Sequence, residues 1–157
     1  MTVGFENHNH SHCIADGIQA AEAYCADHKL RFTPVRRRVY EILLEEHSAL
    51  GAYEILDRLR ENDRKAQPPV AYRALEFLRE NGFVHKIERL NAFIACAHPA
   101  ERHKPAFLIC RECDTVAETH AELSEGQLGK AANEAGFEIE KTVVEAIGVC
   151  PSCKDAS

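Results

Sequence analysis

An α+β fold in two parts is predicted by three features of this sequence. Helical apolar stripes fill its first half, a pair of short alternating segments follows, and beyond residue 97 brief strands surround one helix between two C-x-x-C pairs. The chain has 157 residues, and its 45% hydrophobic and 28% charged content decides for a globular protein over a disordered one.

The elements can be justified in order. Ile14, Ile18, Ala21 and Cys25 recur at steps of four, three and four, so a first helix is expected over about residues 14–28, with Cys25 in the core. In "RFTPVRRRVYEILLEEH", Thr33 can cap and Pro34 suits a first helical turn. Val35, Val39, Ile42 and Leu43 form a stripe opposite Arg36, Arg37 and Arg38, a run read as a solvated face that could approach phosphate. "AYEILDRLREN" predicts a third helix through Ile55, Leu56 and Leu59, with Asp57 and Arg60 as a surface pair.

In "PPVAYRALEFLRENG", Pro68 and Pro69 are expected to end the preceding loop and Gly82 to stop a fourth helix. Ala71, Ala74, Leu75 and Leu78 then face inward, which turns Tyr72, Arg73, Glu76 and Arg79 outward. "VHKIE" and "AFIAC" alternate about "RLN" as a β-hairpin. Helices followed by a hairpin describe a winged helix-turn-helix, a unit whose fourth helix fits a major groove. Afterwards come strands "AFLIC" and "TVAETH", a helix over about 122–135 stopped by Gly136, and a strand "FEIEKTVVEAIGV". The predicted division is a His-rich tip at 1–13, a winged-helix domain at 14–97, a hinge at 98–105 and a small α/β domain at 106–157.

Charge supports the division. Residues 29–89 carry 13 Lys plus Arg against 10 Asp plus Glu, a net of +3, and the rest of the chain carries −9 of the total −6. A basic half permits nucleic-acid binding despite the acidic whole. The N-terminus has no basic, apolar secretory pattern and no apolar run reaches membrane length, so a cytoplasmic protein without a membrane partner is expected.

Seven cysteines, an odd number without a secretory signal, point to metal rather than to a disulfide framework. Cys110 and Cys113, then 36 residues, then Cys150 and Cys153 match the closed four-thiolate coordination of structural zinc. His85, Cys96, His103 and Glu118 supply two imidazoles, a thiolate and a carboxylate, enough for a second tetrahedral site whose thiolate favours zinc. His85 and Cys96 lie on the expected wing, whereas His103 and Glu118 follow it, so an ion bound by all four would tie two domains together. A surface His85 and a small buried core Cys96 are the plainer alternative.

These segments resemble the ferric uptake regulator family of metal-dependent repressors, and within it the zinc uptake branch. The resemblance runs from about residue 20 to Cys153 and is carried by "RFTPVRRRVYEIL", "PPVAYRALEFLRENGFVHKIE", "FIAC", "FLICRECDTVAE" and "EAIGVCPSC". It implies a winged-helix DNA-binding domain and a C-terminal dimerisation domain. It also implies two zinc ions per chain, a structural one on Cys110, Cys113, Cys150 and Cys153 and a sensor one on His85, Cys96, His103 and Glu118. Tyr53, Tyr72 and Arg73 are implied on the DNA-facing side. The expected function is repression of zinc uptake genes by a zinc-loaded homodimer on double-stranded operator DNA, with two dimers on one operator as a further arrangement.

The chain departs from the family pattern at Val70, where Thr is usual, at Val35, where Gln is common, and at Ile147, where some members carry His. "ERHKPAFLIC" lacks the His-rich run of iron and peroxide sensors, which weighs against that alternative on the same scaffold. His120 could join a third site, and His8, His10, His12 and Cys13 could hand over zinc, though a mobile tail is the plainer reading. A zinc deaminase would need H-x-E and P-C-x-x-C. "HAE" at 120–122 is present, but the proline falls inside "CPSC" and Cys110 and Cys113 would have no role.

Overall fold

The computed structural model describes residues 5, 10–46, 48–99, 101, 103–120 and 126–156. The chain divides into two compact units, one within Glu6–Glu101 and one built on Arg102–Ser157.

The first unit runs α1 (His10–Asp27), α2 (Pro34–Leu44), α3 (Ala52–Asn62), α4 (Pro68–Glu80), β1 (Val84–Ile87) and β2 (Ala92–Ala95). Helix α1 begins four residues before its apolar stripe, because His10–Cys13 is polar and gives periodicity nothing to register. The Thr33 hydroxyl caps α2 by accepting from the Arg36 N–H at 3.3 Å, as its sequence predicts. At α3 the Glu54 carboxylate reaches back to the Gly51 N–H at 2.7 Å.

The start of α4 corrects one expectation. Pro68 and Pro69 are the first helical residues rather than the end of a loop, since proline lacks only an N–H that would be orphaned there. The helix stops at Asn81, whose side-chain amide donates to the Phe77 carbonyl at 2.8 Å, and Gly82 follows at φ +78°.

Ile55, Leu56 and Leu59 of α3 and Ala71, Leu75 and Leu78 of α4 bury against Val39, Ile42 and Leu43 of α2. Each large aliphatic side chain buried this way contributes roughly 1.5–3 kcal/mol. Strands β1 and β2 pair antiparallel with His85 opposite Ile94, turning through Asn91 at φ +47°. Leu50 extends this wing by exchanging backbone hydrogen bonds with Phe93 at 2.9 and 2.8 Å.

The second unit runs β3 (Pro105–Cys110), β4 (Val116–His120), α5 (Gln127–Glu134), β5 (Val144–Gly148) and α6 (Pro151–Asp155). Its sheet order is β4-β3-β5, with β3 antiparallel to β4 and parallel to β5. The expected strand 137–149 is shorter than its alternation suggests: only Val144–Gly148 pairs with β3. Helix α5 ends before Gly136 at φ +66°, as expected, while residues 122–125 of the expected helix lie outside the described residues. Helix α6 was not anticipated. Pro151 starts it directly after Cys150, within a segment that the cysteine spacing made look like a bare knuckle.

Candidate metal centres and nucleic-acid interface

Among the described residues, two donor sets could hold a metal ion: Cys110, Cys113, Cys150 and Cys153, and His85, Cys96, His103 and Glu118. The first lies wholly in the second unit, and its four sulfurs all come within 4.8 Å of one another. Parallel pairing of β3 with β5 creates this convergence, because Cys110 ends β3 beside Gly148 and both chains leave the sheet at one end. A tight turn through Asp114 at φ +57° folds Cys113 back, and α6 carries Cys153.

Cys113 Sγ and Cys150 Sγ are 3.8 Å apart, and a tetrahedron with Zn–S of about 2.3 Å has sulfurs at about 3.8 Å. None of the seven cysteines is in a disulfide. The Cys150 N–H donates to Cys110 Sγ at 3.4 Å and is the main reason the Cys110 thiol is lowered to about 6. Hydrogen bonding to Cys150 and Cys113, with burial, pushes Cys153 up to about 12. Cys110 is thus held toward thiolate and Cys153 toward thiol, and a divalent cation bound among the four sulfurs would favour ionisation of Cys153 as well.

The second set has members in both units, so each half is described in its own. On the wing, His85 lies in β1 and Cys96 follows β2 with its N–H donating to the Phe83 carbonyl at 2.8 Å. Cys96 is buried, as both of its sequence readings allow. In the second unit His103 Nε2 lies 2.6 Å from Glu118 Oε1. Glu118 is the one buried acidic residue among the described residues. The His120 ring stands edge-on to that of His103, with centroids 5.4 Å apart. His8, and the side chain of His10, lie outside the described residues, and His12 and Cys13 sit in the first turn of α1.

The three residues expected to face DNA are exposed. Tyr53 opens α3 at 68% exposure, and Tyr72 and Arg73 project from α4. The basic run of α2 is less available than its charge suggests. Arg37 pairs with Glu22 and Glu41, and Arg38 with Glu41 and Glu45, so two of the three charges are locally neutralised. Asp57 and Arg60 do not form the expected pair: the Arg60 guanidinium instead donates to the Ala66 carbonyl at 3.0 Å, bracing the turn before α4. Sequence reasoning missed an exposed apolar set, Leu128, Phe137, Val143 and Ile147, in the second unit. Its signal was present in "GFEIEKTVVEAIG", where apolar residues recur without enough strand partners to cover them.

A winged helix followed by a small sheet gathering four thiols defines a two-part helix-turn-helix protein with a metal-holding knuckle. The chain belongs to the ferric uptake regulator family, whose model matches residues 27–147. It is 40% identical over 137 residues to the zinc uptake regulation protein of Escherichia coli, covering 87% of this chain and 80% of that one. With the ferric uptake regulation protein of Staphylococcus aureus it shares 27% identity over 130 residues, 80% of this chain and 90% of that one. Among solved structures, a zinc uptake regulator complexed with zinc and DNA matches with a TM-score of 0.86 and 38% identity, over 91% of this chain and 96% of that one. No helix among the described residues is long and apolar enough to cross a membrane.

Proposed function

We propose that this protein is a zinc-responsive transcriptional repressor that binds operator DNA as a homodimer when zinc-loaded and represses zinc uptake genes. The observation that carries the reading is the donor chemistry of four residues: imidazoles from His85 and His103, a thiolate from Cys96 and a carboxylate from Glu118. A thiolate beside two imidazoles suits zinc better than iron or manganese. The higher identity to a zinc uptake regulation protein than to a ferric one supports the same metal.

In this reading the ion on Cys110, Cys113, Cys150 and Cys153 is structural, since four thiolates leave no open position. The second ion is the sensor. Held by donors from both units, it favours one tilt of the reading domain, and a dimer then presents two α4 helices to successive major grooves about 34 Å apart. Arg73 contacts base or phosphate, while Tyr72 and Tyr53 pack on sugar or thymine methyl groups. A coupling of about 1–3 kcal/mol between zinc and DNA suffices for a useful response. The apolar set Leu128, Phe137, Val143 and Ile147 supports the second unit as the dimer face, because a lone copy leaves it in water. The deaminase alternative loses its ground, as Cys110 and Cys113 gather with Cys150 and Cys153.

The test is a gel-shift titration with DNA from upstream of this gene and its neighbours, comparing zinc, iron and manganese. Zinc is expected to promote binding at the lowest free-metal concentration. Binding promoted by iron or manganese and not by zinc overturns the reading.

A further inference from the structure

Of the three consecutive arginines in α2, Arg36 differs from its neighbours. Arg37 and Arg38 are met by carboxylates, whereas the Arg36 guanidinium carbon stands 3.7 Å from the centroid of the Phe77 ring. Its Nη1 donates to the Arg31 carbonyl, which fixes the plane of the group, and its own N–H is the one that Thr33 caps. Both Arg36 and Phe77 are half-buried. Phe77 belongs to α4, one turn beyond Arg73 at i+4, so whatever holds the ring holds the same stretch of helix that presents Arg73. One of the five N–H donors of this guanidinium is taken by a carbonyl and its face by a ring, so the group is anchored within the protein.

We infer that Arg36 is a positioning residue: by clamping Phe77 it sets the aim of α4, and it makes no contact with the duplex. The inference rests on the DNA-binding reading proposed above and names a determinant within it. Arg36 stacked on Phe77 joins the start of α2 to the last turns of α4, where α4 otherwise relies on the apolar packing of Ala71, Ala74, Leu75 and Leu78.

The experiment uses the full zinc-loaded chain and compares Arg36→Met, Phe77→Leu, Phe77→Tyr and the Arg36→Met/Phe77→Leu double variant. Operator affinity is measured across a salt series, at a temperature where every variant is folded and carries the parent's zinc content. Arg36→Met and Phe77→Leu should each weaken binding by roughly threefold to thirtyfold, the span open to one cation–π contact. The double variant should be no weaker than the weaker single one, Phe77→Tyr should keep parental affinity because it keeps a ring face, and all salt slopes should match the parent's. A slope reduced by about one in Arg36→Met alone would make Arg36 a phosphate contact and overturn the inference. So would additive losses, or parental affinity in Phe77→Leu.

Amide hydrogen exchange separates this inference from the reading beneath it. In protein without DNA, exchange along α4 should quicken to the same extent in Arg36→Met and Phe77→Leu, and unchanged exchange overturns the clamp. If the parent protein with zinc ignores operator DNA, the functional proposal fails while the exchange result still decides the clamp.

Discussion

His103 Nε2 lies 2.6 Å from Glu118 Oε1, with the two side chains 8% and 4% exposed. A carboxylate so far from water needs a partner, and here an imidazole supplies it. The same two groups are proposed zinc ligands, so zinc would take the place of the contact between them. Replacing Glu118 with Gln should therefore weaken loading of the second zinc by at least about tenfold while the first stays bound. Two tightly held ions per chain by metal analysis of that variant would contradict the assignment.

The division of labour between the two ions is tested at Cys96. Cys96→Ser should abolish zinc-dependent operator binding and leave both the thiolate-bound ion and the dimer in place. Loss of the dimer in a sedimentation experiment would reject it.

Cys110 sets an acid limit. Its folded value of about 6 lies below the ordinary 9.0, chiefly through the Cys150 N–H, so the folded state favours its thiolate. That contribution to stability is complete above pH 9 and is lost as the pH falls through about 6. Metal-free protein should show ultraviolet thiolate absorbance that titrates near pH 6 and disappears in Cys110→Ser. An onset only near pH 9 would show that the backbone donor has no such effect.

Salt should matter more than the net charge of −6 implies. If the basic winged helix faces the duplex, operator affinity should fall steeply with rising salt. Arg73→Ala should cost about 1–3 kcal/mol if the contact is to a base, with relaxed preference at one operator position. A flat salt profile measured by fluorescence anisotropy would contradict this orientation.

The apolar set of the second unit offers a further check. Ile147→Asp places a charge on the exposed strand β5 and should shift the protein toward monomer in sedimentation, with the four-cysteine zinc retained. An unchanged dimer would move the interface elsewhere.

Much of this was legible in the sequence because the signals were local. The Thr33 cap, the Gly82 and Gly136 stops and the alternation on either side of Asn91 are each decided within a few residues, and each appears where it was expected. The four-cysteine cluster was readable from spacing alone, since two C-x-x-C pairs supply the four thiolates that one tetrahedral ion takes. Long-range choices were not. Arg60 turned to the Ala66 carbonyl rather than to Asp57, because a fixed backbone acceptor outcompetes a mobile surface carboxylate. Residues 137–143 looked like strand but lie outside the ladder, since alternation reports a preference and pairing needs a neighbour. The Arg36 clamp was invisible for the same reason, as its partner sits forty-one positions away.

Parallel pairing of β3 with β5 obliges the chain to travel out and back between Cys113 and Cys150 before it can close the knuckle. Once the knuckle holds a metal, both ends of that excursion are pinned, and the length of its stretch between β4 and β5 is nearly irrelevant to the sheet. Doubling such a loop costs only about 0.6 kcal/mol of closure entropy. The α5 crossover is therefore the place where this architecture can absorb inserted sequence, lending each descendant a new outer surface while the pinned frame goes on folding as before.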